Sequence, residues 1–515
     1  MKSERISPFW VGGYHPFSAV IIELRKKGFS KNIYKNFDEL LEVLSTLLQI
    51  CIDNFVKEVS KMEAPHDIFA FINYYDASKK SNQGDIAFKL LCKSIFTLLP
   101  KLQLNTNATT IFPYFGKAYL STLKGMHRCI IELEQFYSTL IIYQSEVGVL
   151  LVSDSGWSFH FNNDEDFDLN KRFQSAAVNG ALDRYCDDDF VAESFIEKFR
   201  DVFNPIEEQL YNRIFNRTFV YDCNSLSEQE FIKFVSNDVP QKGIIDVTDI
   251  VTSNRENPCI RGLIFEEENS NLFLAISKPN NKKYRTRFRP IIKVNVDEQE
   301  YFITTQSIYF EAMSELAKGH YAHNELPDEW NHIKELKKGA KDVFKKHSDF
   351  LEKNVAEILQ NKFMFLMNVK SLANISCVKA PVIINGNTVP KKTVGEIDFI
   401  IIDDLNKTIY VADAKYLKPA YHYPTFANDA DKFRNEDQGY ENKLNYKIGW
   451  INSNIQLLCR EIKRRDIAQY KIEGFFITDN LVYYSILSKF PIIPISNLLD
   501  YLNTRDKYCP LPKTF

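Results

Sequence analysis

The chain has 515 residues, a length that accommodates two to four domains, and its 45% hydrophobic and 25% charged residues with no long low-complexity tract exclude fibrous and disordered classes. No apolar run reaches the span of a bilayer, and the polar start Met1-Lys2-Ser3-Glu4-Arg5 lacks a signal-peptide core, so a cytoplasmic protein without a membrane partner is expected. A net charge of −3 excludes a chain that is basic throughout, while a local basic groove stays open to it. Nine cysteines without a C-x-x-C pair read as reduced core thiols.

In chain order, residues 1–145 read as a helical region, a scaffold, oligomerisation module or sensor. Amphipathic runs span Phe37 to Met62, Ile86 to Leu102 and Tyr119 to Tyr143. His127, Cys129 and Glu132 fall near helical spacing, which packing explains more simply than a metal. Residues 146–339 read as a mixed α/β middle domain. Val147 to Val152 and Trp157 to Phe161 form a hairpin around Asp154-Ser155-Gly156. Asp164-Glu165-Asp166-Phe167-Asp168 lacks the glycine and closing Glu of a calcium loop and reads as a solvated acidic turn. Asp187-Asp188-Asp189 starts a helix over Phe190 to Phe203. Cys259 to Ile276 and Ile291 to Ile308 read as hairpins. The segment joining them puts Arg285, Arg287 and Arg289 on one strand face, either a phosphate-contacting ribbon or an exposed face protected against edge pairing. His320 and His323 form an H-x-x-H with no third ligand. No G-x-x-x-x-G-K-[ST] occurs, so an NTP motor would be a separate chain, and there is no G-x-S-x-G.

Residues 340–515 hold the most informative stretch. An amphipathic helix is predicted over Phe344 to Phe363, with apolar positions Phe344, Leu351, Val355, Ile358, Leu359 and Phe363 and Ser348 as a cap of its main portion. A strand from Cys377 through Ile384 and an Asn385-Gly386-Asn387 turn lead to a hairpin. Its strands are Phe399-Ile400-Ile401-Ile402 and Thr408-Ile409-Tyr410-Val411, and Asp403 to Lys407 turn between them. Glu396 and Asp398 begin the first strand and Asp413 ends the second, so Asp398 and Asp413 should be spatial neighbours. Period-two alternation puts Lys415 on the face of Asp413. Two carboxylates held this close repel unless a cation lies between them, and hard oxygen donors suit a magnesium ion. A lysine beside them can orient water or offset charge on a phosphate. Glu335-Leu336-Lys337, Glu441-Asn442-Lys443 and Glu461-Ile462-Lys463 also satisfy acid-x-Lys, but in polar helical contexts without a hairpin. Beyond Lys415 come a loop with Pro419 and Pro424, a long helix from about Asp431 to Arg464, strands at Gly474 to Thr478 and Pro491 to Ile495, and a last helix from Asn497 to Leu502.

Asp398 and Asp413-Ala414-Lys415 resemble the PD-(D/E)XK nuclease superfamily, in which an Asp on one hairpin strand faces Asp/Glu-x-Lys on the next. No Pro precedes Asp398. The Gly395-Glu396-Ile397-Asp398 form is similar to the Mrr-like and resolvase-like branches, and Asp413-Ala414-Lys415-Tyr416 to the nuclease subunit of McrBC-type restriction systems. The resemblance implies a multidomain α+β protein whose residues 340–515 form a restriction-endonuclease-like α/β core with a central mixed sheet. It implies Mg²⁺, with Mn²⁺ substituting, held by Asp398, Asp413, the Ala414 carbonyl and Glu352. Glu352 matches the helix Glu of Mrr-like nucleases, with Glu357 as fallback. Lys415 would act on the attacking water, and Glu396 would support the ligands or hold a second ion. Lys443, Lys447, Arg460, Arg464 and Arg465 are candidate phosphate contacts, and Gln438 invites comparison with glutamines beside such sites. The expected function is a metal-dependent DNA endonuclease of a prokaryotic restriction or phage-defence system. Its expected partners are DNA, an ATPase, GTPase or other defence subunit, and a second copy of itself. The alternative is a nucleic-acid-binding or assembly subunit that uses the same fold as a platform.

Overall fold

The computed structural model describes residues 16–80, 86–143, 148–161, 188–215, 243–277, 282–384, 387–418, 423–435 and 438–504. These form two compact units, one from the described residues up to 341 and one from residue 342 onward. The architecture is multidomain α+β.

In the first unit, Phe37–Val59 is a helix whose first turn is capped by the Asn36 side chain, which accepts from the Asp38 and Glu39 amides. It packs with Ile86–Leu98 and Phe112–Tyr143 through a core that also takes in Ile292, Val294 and Ile303. Strand Gln103–Leu104 runs parallel to Ile291–Val296 in a sheet that continues through Gln299–Thr304. Residues 1–145 and 146–339, expected as separate domains, therefore share one sheet and one core. The expected hairpin at 147–161 is present as Gly148–Ser153 and Gly156–Phe161. The helix expected after the Asp187 cluster is Asp188–Phe203. Asp164 to Asp168 lie outside the described residues.

Two expectations in this unit are corrected. Cys259 to Ile276 is not a hairpin: Pro258–Arg261 and Leu272–Ser277 are helices flanking the two-residue strand Ile264–Phe265. The three arginines are internal struts, not a phosphate ribbon. Arg285 donates to the Ala275 carbonyl, Arg287 pairs with Glu315 at 2.9 Å, and Arg289 makes a bidentate pair with Glu329 at 2.7 and 2.8 Å. His320 is fully buried, donor or acceptor to Glu325 at 2.8 Å and edge-on to Phe288, a packing role rather than a metal ligand. His127 likewise lies in the core, 2.9 Å from the Ser94 hydroxyl, and burial pulls its imidazole down to about 4.

The second unit is built on a five-stranded mixed sheet. Its strands are β1 (Met364–Val369), β2 (Ile397–Asp403), β3 (Thr408–Lys415), β4 (Lys471–Thr478) and β5 (Ile492–Pro494), in spatial order β5-β4-β3-β2-β1. β1, β2 and β3 are antiparallel neighbours, and β4 and β5 join parallel. Strands β2 and β3 are buried on both faces, which explains why they read as nearly continuous apolar runs. The portion of helix α1 (Lys334–Leu359) beyond residue 341 covers one face, where Leu351, Val355 and Leu359 meet Phe399, Ile401, Tyr410 and Phe475. The other face is covered by α2 (Tyr423–Arg434), α3 (Tyr440–Ser453) and α4 (Ile455–Glu461), where Leu444, Ile451 and Leu458 meet Ile400, Ile402, Ile409, Val411 and Phe476.

The single long helix expected from Asp431 to Arg464 is thus three helices. The chain leaves α2 after Arg434, and a Cβ at Gly439 would lie 2.4 Å from the Asn435 carbonyl, so the break there needs glycine. Helix α1 starts ten residues before the expected Phe344, which places Ser348 inside it rather than at a cap. The strand beside the hairpin is β1, not Cys377 to Ile384. Of the latter, Pro381–Ile384 pairs only with Asn387–Thr393 in a separate two-stranded sheet. Close packing of α3 on the sheet depends on Gly474 in β4, where a Cβ would lie 2.4 Å from Ile448 Cδ1 and 3.3 Å from Leu444 Cδ2. Gly474→Val is expected to cost about 1–3 kcal/mol in urea denaturation through overpacking. An unchanged midpoint would show that α3 yields freely.

Candidate active site

The register Phe399↔Ala412 of the β2–β3 hairpin, continued by one residue, sets Asp398 opposite Asp413. Opposed residues of an antiparallel pair share a face, and alternation adds Lys415 to it. That face is the one Ile409 and Val411 present to α3. Lys415 Nζ stands 3.2 Å from Asp413 Oδ2 and 3.5 Å from Asp398 Oδ2. The Ala414 amide donates to Asp398 Oδ2 at 2.9 Å, which fixes that carboxylate's rotamer from the neighbouring strand. The Lys415 ammonium also lies 5.6 Å from the centroid of the Tyr440 ring.

Lys447 completes the cluster from α3. Its ammonium is buried, 2.5 Å from Asp413 Oδ1 and 3.9 Å from Asp398 Oδ1. The sequence marks Lys447 only as a candidate phosphate contact. Its place among Leu444, Ile448 and Ile451 on the apolar face of α3 is the signal that it turns inward.

The electrostatics of the pair are asymmetric. Burial pushes both carboxyls up. At Asp413 the charges of Lys415 and Lys447 more than offset burial and hold it below its ordinary value. At Asp398 burial and the charge of Asp413 prevail over the two lysines, and its carboxyl is raised. Burial alone would lower Lys415, but Asp413 and Asp398 outweigh it and hold the ammonium above its ordinary value. Lys415 therefore stays charged at neutral pH, suited to orienting water and countering phosphate charge rather than to accepting a proton.

Glu352, on α1, feels the charge of Asp398. Burial first, and then the charge of Asp398, push its carboxyl up to about 7 against a hydrogen bond from Asn368 at the end of β1. A raised carboxyl contributes stability that is complete below its ordinary 4.5 and is lost as pH rises through about 7. Glu352→Gln removes that loss. In urea denaturation with a chelator the variant should gain on the order of 1–2 kcal/mol over the parent above about pH 8, after screening, and nothing near its ordinary value. An equal gain at both pH values would show that Glu352 is not strained by its neighbours.

Other expected residues stand apart. Glu396 is 38% exposed and 3.7 Å from Lys370, outside the lysine-bridged pair. Glu357 is exposed beside Lys353, which removes it as a fallback. Arg464 pairs with Asp404 and Asp466 at the closed end of the hairpin, away from Asp398 and Asp413. Lys443, Arg460, Arg465 and Gln438 are exposed.

The donors present are hard oxygens of the kind Mg²⁺ takes: the Asp398 and Asp413 carboxylates, the Glu352 carboxyl and the Ala414 carbonyl. Among the described residues no group of three or more His, Cys, Asp or Glu forms a metal-binding cluster. The fit therefore rests on two strand carboxylates, with Glu352 as a third that must lose its proton to join them. Comparison with family models, with curated proteins and with solved structures finds no match to this chain.

Proposed function

We propose that the second unit is a metal-dependent nuclease that hydrolyses DNA phosphodiester bonds, acting as an endonuclease in a prokaryotic restriction or phage-defence system. The observation that carries this reading is the convergence of Asp398, Asp413 and Lys415 on one face at one end of a mixed sheet, with the Glu352 carboxyl raised in part by the charge of Asp398. Asp398, Asp413, the Ala414 carbonyl and deprotonated Glu352 would hold Mg²⁺. When bound, such an ion polarises a phosphate and lowers the pKa of water. The chain's own residues supply the rest. Lys415, held charged by the two aspartates, orients the water and offsets charge that builds on the phosphate oxygens. The Ala414 amide keeps Asp398 in the rotamer that faces Asp413. DNA is the proposed substrate, and an ATPase, GTPase or other defence subunit the proposed partner, since the chain has no P-loop of its own.

A second reading is favoured by one observation: two aspartates and two lysines cancel in formal charge, as in a structural ion-pair cluster. The unit would then be a nucleic-acid-binding or assembly platform. Incubating the purified chain with supercoiled, linear and single-stranded DNA, with and without Mg²⁺, separates the two. The nuclease reading expects Mg²⁺-dependent products that Lys415→Ala abolishes. Products that persist in Lys415→Ala, or DNA binding with no cleavage under any condition, favour the platform.

A further inference from the structure

We propose that Lys447 is a built-in counter-ion of the Asp398–Asp413 pair that competes with a divalent cation for the same oxygens and so sets the ion affinity of the site. This rests on the nuclease reading above and names a control on it.

The geometry divides the four carboxylate oxygens between the two lysines. Lys415 faces the two Oδ2 atoms at 3.2 and 3.5 Å, and Lys447 faces the two Oδ1 atoms at 2.5 and 3.9 Å. The lysines are not equivalent. The Lys415 side chain is 20% exposed, whereas that of Lys447 is 8% exposed and rises from a helix face that buries Leu444 and Ile451 completely. Desolvating an ammonium costs several kcal/mol, and a lysine buried here is stabilised only by nearby anions. Both aspartates lie within 4 Å of it.

A hard dication shared by Asp398 and Asp413 takes one oxygen from each. On the Lys447 side those oxygens already face an ammonium, and at that range a dication and an ammonium repel strongly in a low-dielectric pocket. An ion that bridges the two Oδ1 atoms therefore requires Lys447 to withdraw, which its flexible four-carbon stem permits and a planar guanidinium would resist. The lysine in this way keeps the buried acid pair compensated when no ion is bound and weakens the site for ions. A purely structural lysine would lower stability when removed but would not tighten ion binding.

Calorimetric titration of the full chain with Mn²⁺ tests this, with Lys447→Met and Lys447→Gln as alternatives should one fail to fold, Lys447→Arg as the charge-preserving variant and Asp413→Asn as the background. The expected result is Mn²⁺ binding at least about tenfold tighter in Lys447→Met or Lys447→Gln, no tightening in Lys447→Arg, and a larger Mn²⁺-induced rise in Tm for the neutral variants than for the parent. Equal or weaker binding in the neutral variants, with uptake that still depends on Asp413, would overturn the counter-ion role and leave the nuclease reading standing. No Asp413-dependent uptake in any of these proteins would overturn the nuclease reading and the counter-ion role together.

Discussion

Lys415→Ala is expected to abolish DNA cleavage, a loss of roughly three orders of magnitude or about 4 kcal/mol in the transition state, while ion uptake and DNA binding persist. The reason is its position. The ammonium lies on the Oδ2 side of both aspartates and is held charged by them, so it is available to water and phosphate rather than committed to holding the ion. Deleting it leaves Lys447 to compensate Asp413, so the fold should survive. Single-turnover cleavage beside a DNA-binding assay checks this, and near-normal turnover in the variant would sink the proposed mechanism.

Asp413→Ala should do more damage, because it removes an oxygen donor and at the same time the nearer anionic partner of two lysines. Lys447 loses the partner at 2.5 Å and keeps only Asp398 at 3.9 Å. Breaking a buried pair from one side costs on the order of 3–5 kcal/mol, far above the median for a surface bridge. Cleavage and ion uptake should vanish together, since one strand carboxylate cannot hold a well-hydrated ion tightly. The Asp413 carboxyl is held below its ordinary 3.8, so its contribution to stability is present above that value and is lost as pH falls through the lowered one. Urea denaturation of parent and variant should therefore converge on acidification. A constant difference down to acid pH would mean the loss is packing rather than charge.

The hairpin was legible because two rules agree there. Apolar β-branched runs of strand length flank a turn that Asp403 closes by accepting from the Asn406 amide and side chain. Counting inward from that turn by twos fixes which residues share a face, so Asp398, Asp413 and Lys415 could be grouped from spacing alone. Lys447 could be found but not placed, because a lysine reads as solvated until its apolar neighbours are known to face a sheet. Strand β1 is not legible in the sequence, since it is an edge strand with Met364 and Met367 exposed, which blurs its alternation. The arginine run differs for another reason: alternation in a short segment suggests a strand, yet these guanidiniums satisfy buried carbonyls and carboxylates that the sequence does not reveal. Helix α1 was legible from Leu351, Val355 and Leu359, but its start was not, because Lys334 to Lys346 is dominated by charge.

Mn²⁺ uptake by the intact chain, followed by electron paramagnetic resonance, decides whether Asp398 and Asp413 form the one divalent-ion site proposed for them. Uptake should be abolished by Asp398→Asn and by Asp413→Asn separately and left intact by Lys415→Ala, because the two facing carboxylates provide the donors and Lys415 does not. Equal uptake in the parent and both asparagine variants would rule out a shared site on these two carboxylates.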